Sequence, residues 1–349
     1  MRRHATTLVA SAVVAVGLFF AGMSLPVPYV QLTPGPVTDT LGTLKGEPLI
    51  DIKGHQTAQS KGKIYLVTVL QYGGPGEDLP AFKVLSSWWD NHDAIVPRRV
   101  LYPPAVTAEE VQQQDAADMD MSQEDAKVAA LRYLGYDLQP GVDVADISDT
   151  STAKGKLQEH DIIVGVDDAK VANSDALLAI TKQHKVGDSI TLHVNRNGQV
   201  LDVPVTLQPP RAGGSAPSIG ISVVDGYTKP FEIDIRLNDV GGPSAGLAFT
   251  LGIIDKLTDG NLTGGLPIAS TGTIDTDGKV GAIGGVQQKE AAVKDAGAVA
   301  FLVPDGNCAE ALKEKPKGLK LVKVSTLAGA VDAIKTLRSG GTPPLCAAG

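Results

Sequence analysis

A serine follows a glycine- and proline-rich turn and precedes a long apolar run at 239–249 (Asp-Val-Gly-Gly-Pro-Ser-Ala-Gly-Leu-Ala-Phe). Proline fixes φ and interrupts regular structure, so the sequence predicts a turn that places Ser244 at the start of a helix. There the serine is either a helix cap or a nucleophile whose oxyanion is bound by the free amides of the helix N-terminus. A basic partner elsewhere in the chain decides between the two interpretations.

The length, composition and net charge of the chain limit which class of protein it can belong to. The chain has 349 residues, 20% of them charged, with 39 glycines and 22 prolines, which is typical of a globular protein of two or three domains with many turns. Its net charge of -8 leaves no basic surplus for phosphates, so nucleic acid is not an expected partner.

The N-terminus is basic and then apolar. Arg2 and Arg3 precede 5–25, a stretch without any charge that is long enough to cross a bilayer as a helix. The order of charges predicts a cytoplasmic stub at 1–4, a transmembrane signal anchor at 5–28, and the bulk of the chain outside the cytoplasm, at a cell membrane. A cleaved signal peptide is the competing interpretation.

The chain has two cysteines, Cys308 and Cys346, both near the C-terminus. In an oxidising compartment they are a candidate disulfide that would hold the tail, 340–349, against the last domain. Two unpaired thiols are the alternative.

The region 31–134 reads as strands followed by a helix. Lys63 to Leu70 is rich in β-branched and aromatic residues and predicts a strand. Ser122 is predicted to cap a helix that ends near Leu134. Trp88-Trp89 is interpreted as core packing in a short helix, in preference to a membrane-interface contact.

The pattern changes to a compact unit over 135–208. An alternating strand, a polar turn, a second strand, an amphipathic helix and a hairpin across Asn197-Gly198 follow one another. This order, with the phrase at 160–167 (His-Asp-Ile-Ile-Val-Gly-Val-Asp), resembles a PDZ domain of the bacterial protease type. A Pro/Gly-rich linker is predicted at 209–218.

The PDZ resemblance implies a groove between a strand and the helix that takes an extended peptide by strand addition. The groove walls implied by it are Val142, Val144, Leu177 and Ile180. The loop that would bind a terminal carboxylate has no clear match, so recognition of C-termini is left open.

As a nucleophile, Ser244 needs a basic side chain that can accept its proton. The motif G-x-S-x-G at 242–246 matches the nucleophile elbow of α/β-hydrolases. That elbow needs a histidine downstream of the serine, but all six histidines precede Ser244. Lys289 lies in the first turn of a helix predicted to begin near Val286, where the helix dipole and burial both lower the pKa of a lysine. Lys294 is predicted to face solvent.

Three separated motifs, at 242–246, 271–274 and 284–289, resemble the Lon-type Ser-Lys peptidases in order and spacing. The resemblance implies that Ser244 is the nucleophile, that Lys289 is the general base, and that Thr271 helps to hold the lysine. Backbone amides around Gly242 and Ala245 are the expected oxyanion donors. The resemblance places a Lon proteolytic domain at 219–339, with its first part at 31–134 and the PDZ-like unit inserted between them.

The expected fold is therefore α+β: a Lon-type proteolytic domain with an inserted PDZ domain and an N-terminal transmembrane helix. The sequence contains no G-x-x-x-x-G-K-[ST] and no H-E-x-x-H, so neither ATP, a metal nor another cofactor is expected. The implied activity is that of an ATP-independent, membrane-anchored serine endopeptidase acting on unstructured or PDZ-recruited proteins and peptides. A non-catalytic PDZ adaptor is the alternative, and homo-oligomerisation is left open.

Overall fold

The computed structural model describes residues 2–90, 92–210, 214, 216–237, 240–314 and 317–347. The helices are α1 (Arg2–Met23), α2 (Ala81–Ser86), α3 (Arg98–Leu101), α4 (Ala108–Tyr133), α5 (Ser174–Thr181), α6 (Gly246–Leu257), α7 (Val286–Asp295), α8 (Cys308–Ala311) and α9 (Leu327–Arg338). Short 3₁₀ turns cover Ser87–Trp89, Pro243–Ala245 and Asp305–Asn307.

The strands are β1 (Pro26–Val27), β2 (Tyr29–Asp39), β3 (Thr43–Leu44), β4 (Glu47–Pro48), β5 (Ile50–Lys53), β6 (Lys63–Tyr72), β7 (Leu79–Pro80), β8 (Ala94–Pro97), β9 (Pro140–Ile147), β10 (Ile162–Val166), β11 (Ala169–Lys170), β12 (Ser189–Arg196), β13 (Gln199–Thr206), β14 (Ile221–Tyr227), β15 (Glu232–Ile235), β16 (Pro267–Ser270), β17 (Thr273–Ile274), β18 (Val280–Gly281), β19 (Ala300–Pro304) and β20 (Lys320–Val324).

The chain forms two compact units. The flanking unit comprises Met1–Ile50, Ala58–Ala129 and Ile235–Gly349, and the central unit comprises Asp51–Thr57 and Ala130–Asp234. In sequence, the central unit therefore interrupts the flanking one.

The flanking unit contains a mixed sheet with the strand order β20-β19-β16-β6-β2-β8. The four strands from β20 to β6 are parallel, whereas β2 runs antiparallel to β6 and to β8. Parallel neighbouring strands need a crossover connection. Helix α7 lies in the connection between β16 and β19, and α8 lies in the connection between β19 and β20. All five residues of β19 are buried, as expected for a strand covered on both faces.

Helix α4 begins earlier than the sequence analysis predicts. Thr107 and Glu110 form a capping box, because the Thr107 amide donates to Glu110 Oε2 while the Glu110 amide donates to Thr107 Oγ1. Ser122 therefore lies inside a helix and is not its cap, which corrects the prediction. The Thr-x-x-Glu spacing at 107–110 was the signal for this start.

The central unit contains a sheet with the order β13-β12-β10-β9-β14, and α5 contacts β9 and β14. The hairpin between β12 and β13 turns through Asn197 and Gly198, whose φ angles of 50° and 85° are those of a type I′ turn. Asn173 caps α5 by accepting a hydrogen bond from the Ala176 amide. These elements follow the order read from the sequence.

One strand belongs to a different unit from the one predicted. The residues 219–224 were predicted to begin the domain at 219–339, yet β14 pairs along its whole length with β9 of the central unit. Antiparallel pairing with a distant strand satisfies the backbone groups of β14, and no local pattern in the sequence encodes that choice of partner. The boundary at 218 thus differs from the division of the structure, which lies after Asp234.

The structure does not support the transmembrane span predicted for 5–28. Among the described residues, which in α1 include side chains only from Ala10 onward, no helix has the length and apolar character needed to cross a bilayer.

Candidate active site

The turn that carries Ser244 is tightly constrained. Gly242 has a φ of +83°, which a residue with a side chain rarely adopts, and Pro243–Ala245 then forms a 3₁₀ turn that leads directly into α6. A Cβ at Gly246 would lie 2.9 Å from both Ile274 Cγ2 and Ser122 Oγ, so only glycine fits there. The glycines on either side of the serine therefore have steric reasons to be present.

Ser244 and Lys289 come together across 45 residues of chain. Lys289 Nζ lies 2.7 Å from Ser244 Oγ and 3.0 Å from Thr271 Oγ1. Helix α7 begins at Val286 after Gly285, which is left-handed with φ of +67°, and this places Lys289 in the first turn of the helix. All three residues that the sequence analysis named for the catalytic centre thus meet at one point.

Lys289 is buried, with 3% of its surface exposed. This burial lowers the pKa of its amine to about 8, because desolvation penalises the ammonium form. A substantial fraction of the amine is therefore neutral near pH 8, and its lone pair can accept the proton of the Ser244 hydroxyl.

Thr271 orients the pair. Its hydroxyl accepts a hydrogen bond from Lys289 Nζ and donates one, of 3.3 Å, to the Ser244 carbonyl oxygen. The Gly272 amide donates to the same oxygen at 3.0 Å. Ser244 is consequently fixed through its backbone and Lys289 through its side chain, both by the chain that follows β16.

Helix α4 supports the turn from its other side, a contact that the sequence analysis missed. Ser122 Oγ donates to the Pro243 carbonyl oxygen at 3.0 Å, and the Gly242 amide donates to the Asp115 carbonyl oxygen at 3.0 Å. Because its N–H is already engaged, Gly242 is not available as an oxyanion donor, which corrects that prediction. Ala245 remains a predicted donor.

A cavity of about 280 Å³ opens onto Ser244 and Lys289. Strand β16 pairs with Lys63 to Leu66 of β6. The following residues of β6 pair with β2 on one side and border the cavity on the side that β16 leaves open. The described lining residues are mainly apolar and include no histidine; besides the dyad they are Pro36, Val67, Thr68, Val69, Leu70, Met119, Val240, Gly241, Ala245 and Gly284.

The peptide groove predicted in the central unit has different walls. Val142 and Val144 are fully buried in the core, since β9 lies inside the sheet between β10 and β14. A groove of about 370 Å³ lies instead between α5 and β14; its described lining includes Ser174, Leu177, Leu178, Thr181, Lys182, Ser218, Ile219, Ile221 and Val223. Leu177 thus lines the groove as predicted, whereas Ile180 packs against the core.

The two cysteines are bonded to each other. Cys308 and Cys346 form a disulfide with Cα atoms 5.2 Å apart, and both side chains lie in the core of the flanking unit. The Cys346 amide donates to the Leu321 carbonyl oxygen, so the tail runs alongside β20. This is the arrangement that the sequence analysis preferred.

Comparison with known proteins assigns both regions. Residues 111–207 match the family model of the PDZ domain, and residues 238–336 match that of the Lon protease (S16) C-terminal proteolytic domain. The chain contains a PDZ domain and a Lon-type proteolytic domain.

Individual relatives agree with these matches. The chain is 35% identical over 114 residues to Lon protease 2 of Bacillus subtilis, covering 30% of this chain and 20% of that protein. It is 38% identical over 72 residues to the serine protease Do-like HtrA of Lactobacillus helveticus, covering 20% of this chain and 17% of that protein. The chain thus spans at most a fifth of the length of these relatives.

Among solved structures, the PDZ domain of the SdrC-like protein from Listeria monocytogenes is similar to part of the chain. It shares 25% sequence identity, with a TM-score of 0.23, over 24% of this chain and 87% of that domain.

Proposed function

We propose that the chain is an ATP-independent serine endopeptidase that uses Ser244 as nucleophile and Lys289 as general base. The observation that carries the proposal is the 2.7 Å contact between Ser244 Oγ and Lys289 Nζ, with the lysine buried and its pKa lowered to about 8. The Lon-type match over 238–336 includes both residues.

The reaction follows from this contact. As Ser244 Oγ attacks the carbonyl carbon of the peptide bond, its proton passes to the neutral Lys289 Nζ. The resulting ammonium then donates that proton to the leaving amine, and an ester between Ser244 and the substrate remains. A water molecule, deprotonated by Nζ, attacks the ester, and Ser244 Oγ regains the proton as the acid product leaves.

The substrates in this proposal are unstructured segments of proteins. The 349-residue sequence has no Walker motif, so an unfolding step driven by this chain is not part of the proposal. The groove between α5 and β14 supports recruitment of an extended segment, because β14 is the edge strand of its sheet and can pair with an added strand.

The location is a separate part of the proposal. Arg2 and Arg3 before the uncharged segment 5–25 support an extracytoplasmic location for the bulk of the chain, and the Cys308–Cys346 disulfide supports an oxidising compartment. Protease accessibility in intact and in permeabilised cells tests it, since an extracytoplasmic chain is digested in both.

The activity is tested with a fluorescently labelled unfolded protein as substrate. We expect Ser244→Ala and Lys289→Ala each to lower the rate by at least about a thousandfold, because the two residues act as one unit. Lys294→Ala is the matched control, since Lys294 is an exposed lysine on the same helix, α7. Wild-type activity should rise with pH through about 8, as Lys289 becomes neutral, and should not change when ATP is removed.

Full activity of either dyad variant would overturn the proposal. The adaptor alternative predicts peptide binding without turnover, identical in the wild type and in Ser244→Ala.

A further inference from the structure

Both tryptophans of this chain lie next to each other on an exposed turn. Trp88 and Trp89 belong to the 3₁₀ turn after α2, and 72% and 82% of their surfaces are exposed. The interpretation of the pair as core packing is therefore wrong. Two neighbouring indoles exposed to this extent are unusual for a surface in contact with water, particularly in a chain whose aromatic content is only 4%.

The exposure of the pair is built into the turn. Between α2 and the indoles, Ser87 is buried, accepts a hydrogen bond from Gln31 Nε2 at 2.8 Å, and donates to the Lys83 carbonyl oxygen at 3.0 Å. Gln31 also donates to Asp93 Oδ2 at 2.6 Å. These buried hydrogen bonds fix the inner side of the turn against β2, so the two indoles that follow Ser87 are held outward.

The turn lies beside a second exposed apolar element of the same unit. Helix α1 contacts α2, and the Ala81 amide at the start of α2 donates to the Leu25 carbonyl oxygen just after α1. Leu25 and Phe82 are both exposed. Among the side chains of α1 that the structure describes, from Ala10 onward, the exposed large apolar ones are Val13, Val14, Val16, Leu18, Phe19 and Phe20.

We propose that Phe82, Trp88 and Trp89, together with Leu25, form an aromatic surface that docks onto a lipid bilayer at the boundary between headgroups and acyl chains. Indole is favoured at that boundary because its ring is apolar while its N–H needs a polar partner. The neighbouring segment 10–23 carries no charge and exposes apolar side chains, and lipid is the environment that covers both features together. The proposal requires contact with the bilayer surface and does not depend on proteolytic activity.

The chain supplies its own probe. Because Trp88 and Trp89 are its two tryptophans, the intrinsic indole fluorescence of the full-length protein reports on this surface alone. On addition of phosphatidylcholine vesicles we expect the emission to shift to shorter wavelength. Vesicles brominated near the headgroup end of the acyl chains should quench it more strongly than vesicles brominated near the chain ends. Trp88→Phe and Trp89→Phe then assign the effect to each indole.

A second set of variants tests the surface around the probe. Phe82→Ser should weaken the wavelength shift, whereas Val200→Ser, at an exposed valine of β13 in the central unit, should leave it unchanged. Circular dichroism checks that both variants fold. Emission that stays at the wavelength of water-exposed indole while the protein floats with vesicles would overturn the proposal. So would a shift that needs no vesicles and grows with protein concentration, because the occupant would then be a second copy of the chain.

Discussion

The cavity at Ser244 and Lys289 in the flanking unit and the groove of the central unit differ in how their side chains are held in place. Ser244, Lys289 and Thr271 are joined by hydrogen bonds of 2.7 and 3.0 Å around a buried amine, so each group depends on the others. The groove between α5 and β14 is lined by side chains that are not joined in this way, among them Leu177, Leu178 and Ile221. A site made of a few coupled polar groups can be predicted from sequence motifs. The position of an apolar groove, by contrast, depends on which strands lie next to each other.

The largest expected effect concerns Lys289. Replacing it with methionine, Lys289→Met, should lower turnover at least about a thousandfold. The same change should raise the free energy of unfolding at pH 7 by up to on the order of 3 kcal/mol, because the folded state no longer buries an ammonium. The lost hydrogen bonds to Ser244 and Thr271 reduce that gain.

Thermodynamic linkage determines how the stability gain from Lys289→Met changes with pH. The folded-state pKa of Lys289, about 8, lies below its ordinary value of 10.5, so the unfolded chain binds more protons between these values and wild-type stability rises with pH there. The gain from Lys289→Met should therefore be largest below pH 8 and fade towards pH 10.5. Urea denaturation at both ends of this range measures it, with Lys294→Met as control. A variant that is less stable than wild type at pH 7 would contradict the assigned burial cost.

An intermediate effect is expected in the groove. Leu178 lines it and is 44% exposed, so Leu178→Glu places a charge where an apolar side chain of a bound peptide would lie. We expect the Kd for a peptide that binds the groove to rise about tenfold, which is about 1.4 kcal/mol. Hydrolysis of a short substrate that binds only at Ser244 should not change.

Val200→Glu is the matched control, since Val200 is an exposed valine of the same unit outside the groove lining. Isothermal titration calorimetry gives the affinities. Equal peptide affinity of Leu178→Glu and wild type would place the peptide site elsewhere.

The smallest effect is expected at Ser122. Ser122→Ala removes the hydrogen bond to the Pro243 carbonyl oxygen, which holds the nucleophile turn but touches neither the substrate nor the reacting atoms. A loss of about 1 kcal/mol corresponds to a roughly fivefold lower kcat, with KM and the pH dependence near 8 unchanged. Ser339→Ala, at an exposed serine that also donates to a backbone carbonyl, is the control. A shifted pH profile would show that Ser122 acts on Lys289 instead of on the turn.

Much of the proposed site around Ser244 was predictable because several of its constraints act on residues close together in the sequence. Gly242 adopts a positive φ two residues before Ser244, and Gly285, also at a positive φ, precedes the helix that carries Lys289. Each of these constraints acts within a few residues, so a sequence motif retains them. The pairing of Ser244 with Lys289 rested on the resemblance of three separated motifs to the Lon-type Ser-Lys peptidases, after no histidine was found downstream of Ser244.

Other features depended on contacts between distant segments. The engagement of the Gly242 amide by Asp115, and of the Pro243 carbonyl by Ser122, involves residues more than a hundred positions apart. The same holds for β14, whose pairing with β9 moved the groove away from Val142 and Val144. Local propensity sets what a segment can form, while its partner is chosen by the packing of the whole unit.

The sequence by itself predicted that Ser244, Lys289 and Thr271 belong to one site, where the structure brings them into contact, and it predicted the order of elements in the PDZ region. Tertiary structure alone decided that the Gly242 amide bonds to Asp115, that β14 borders the groove beside α5, and that Trp88 and Trp89 face outward. The reason is physical: short-range constraints leave residue patterns, but burial and hydrogen-bond partners are properties of the packed chain.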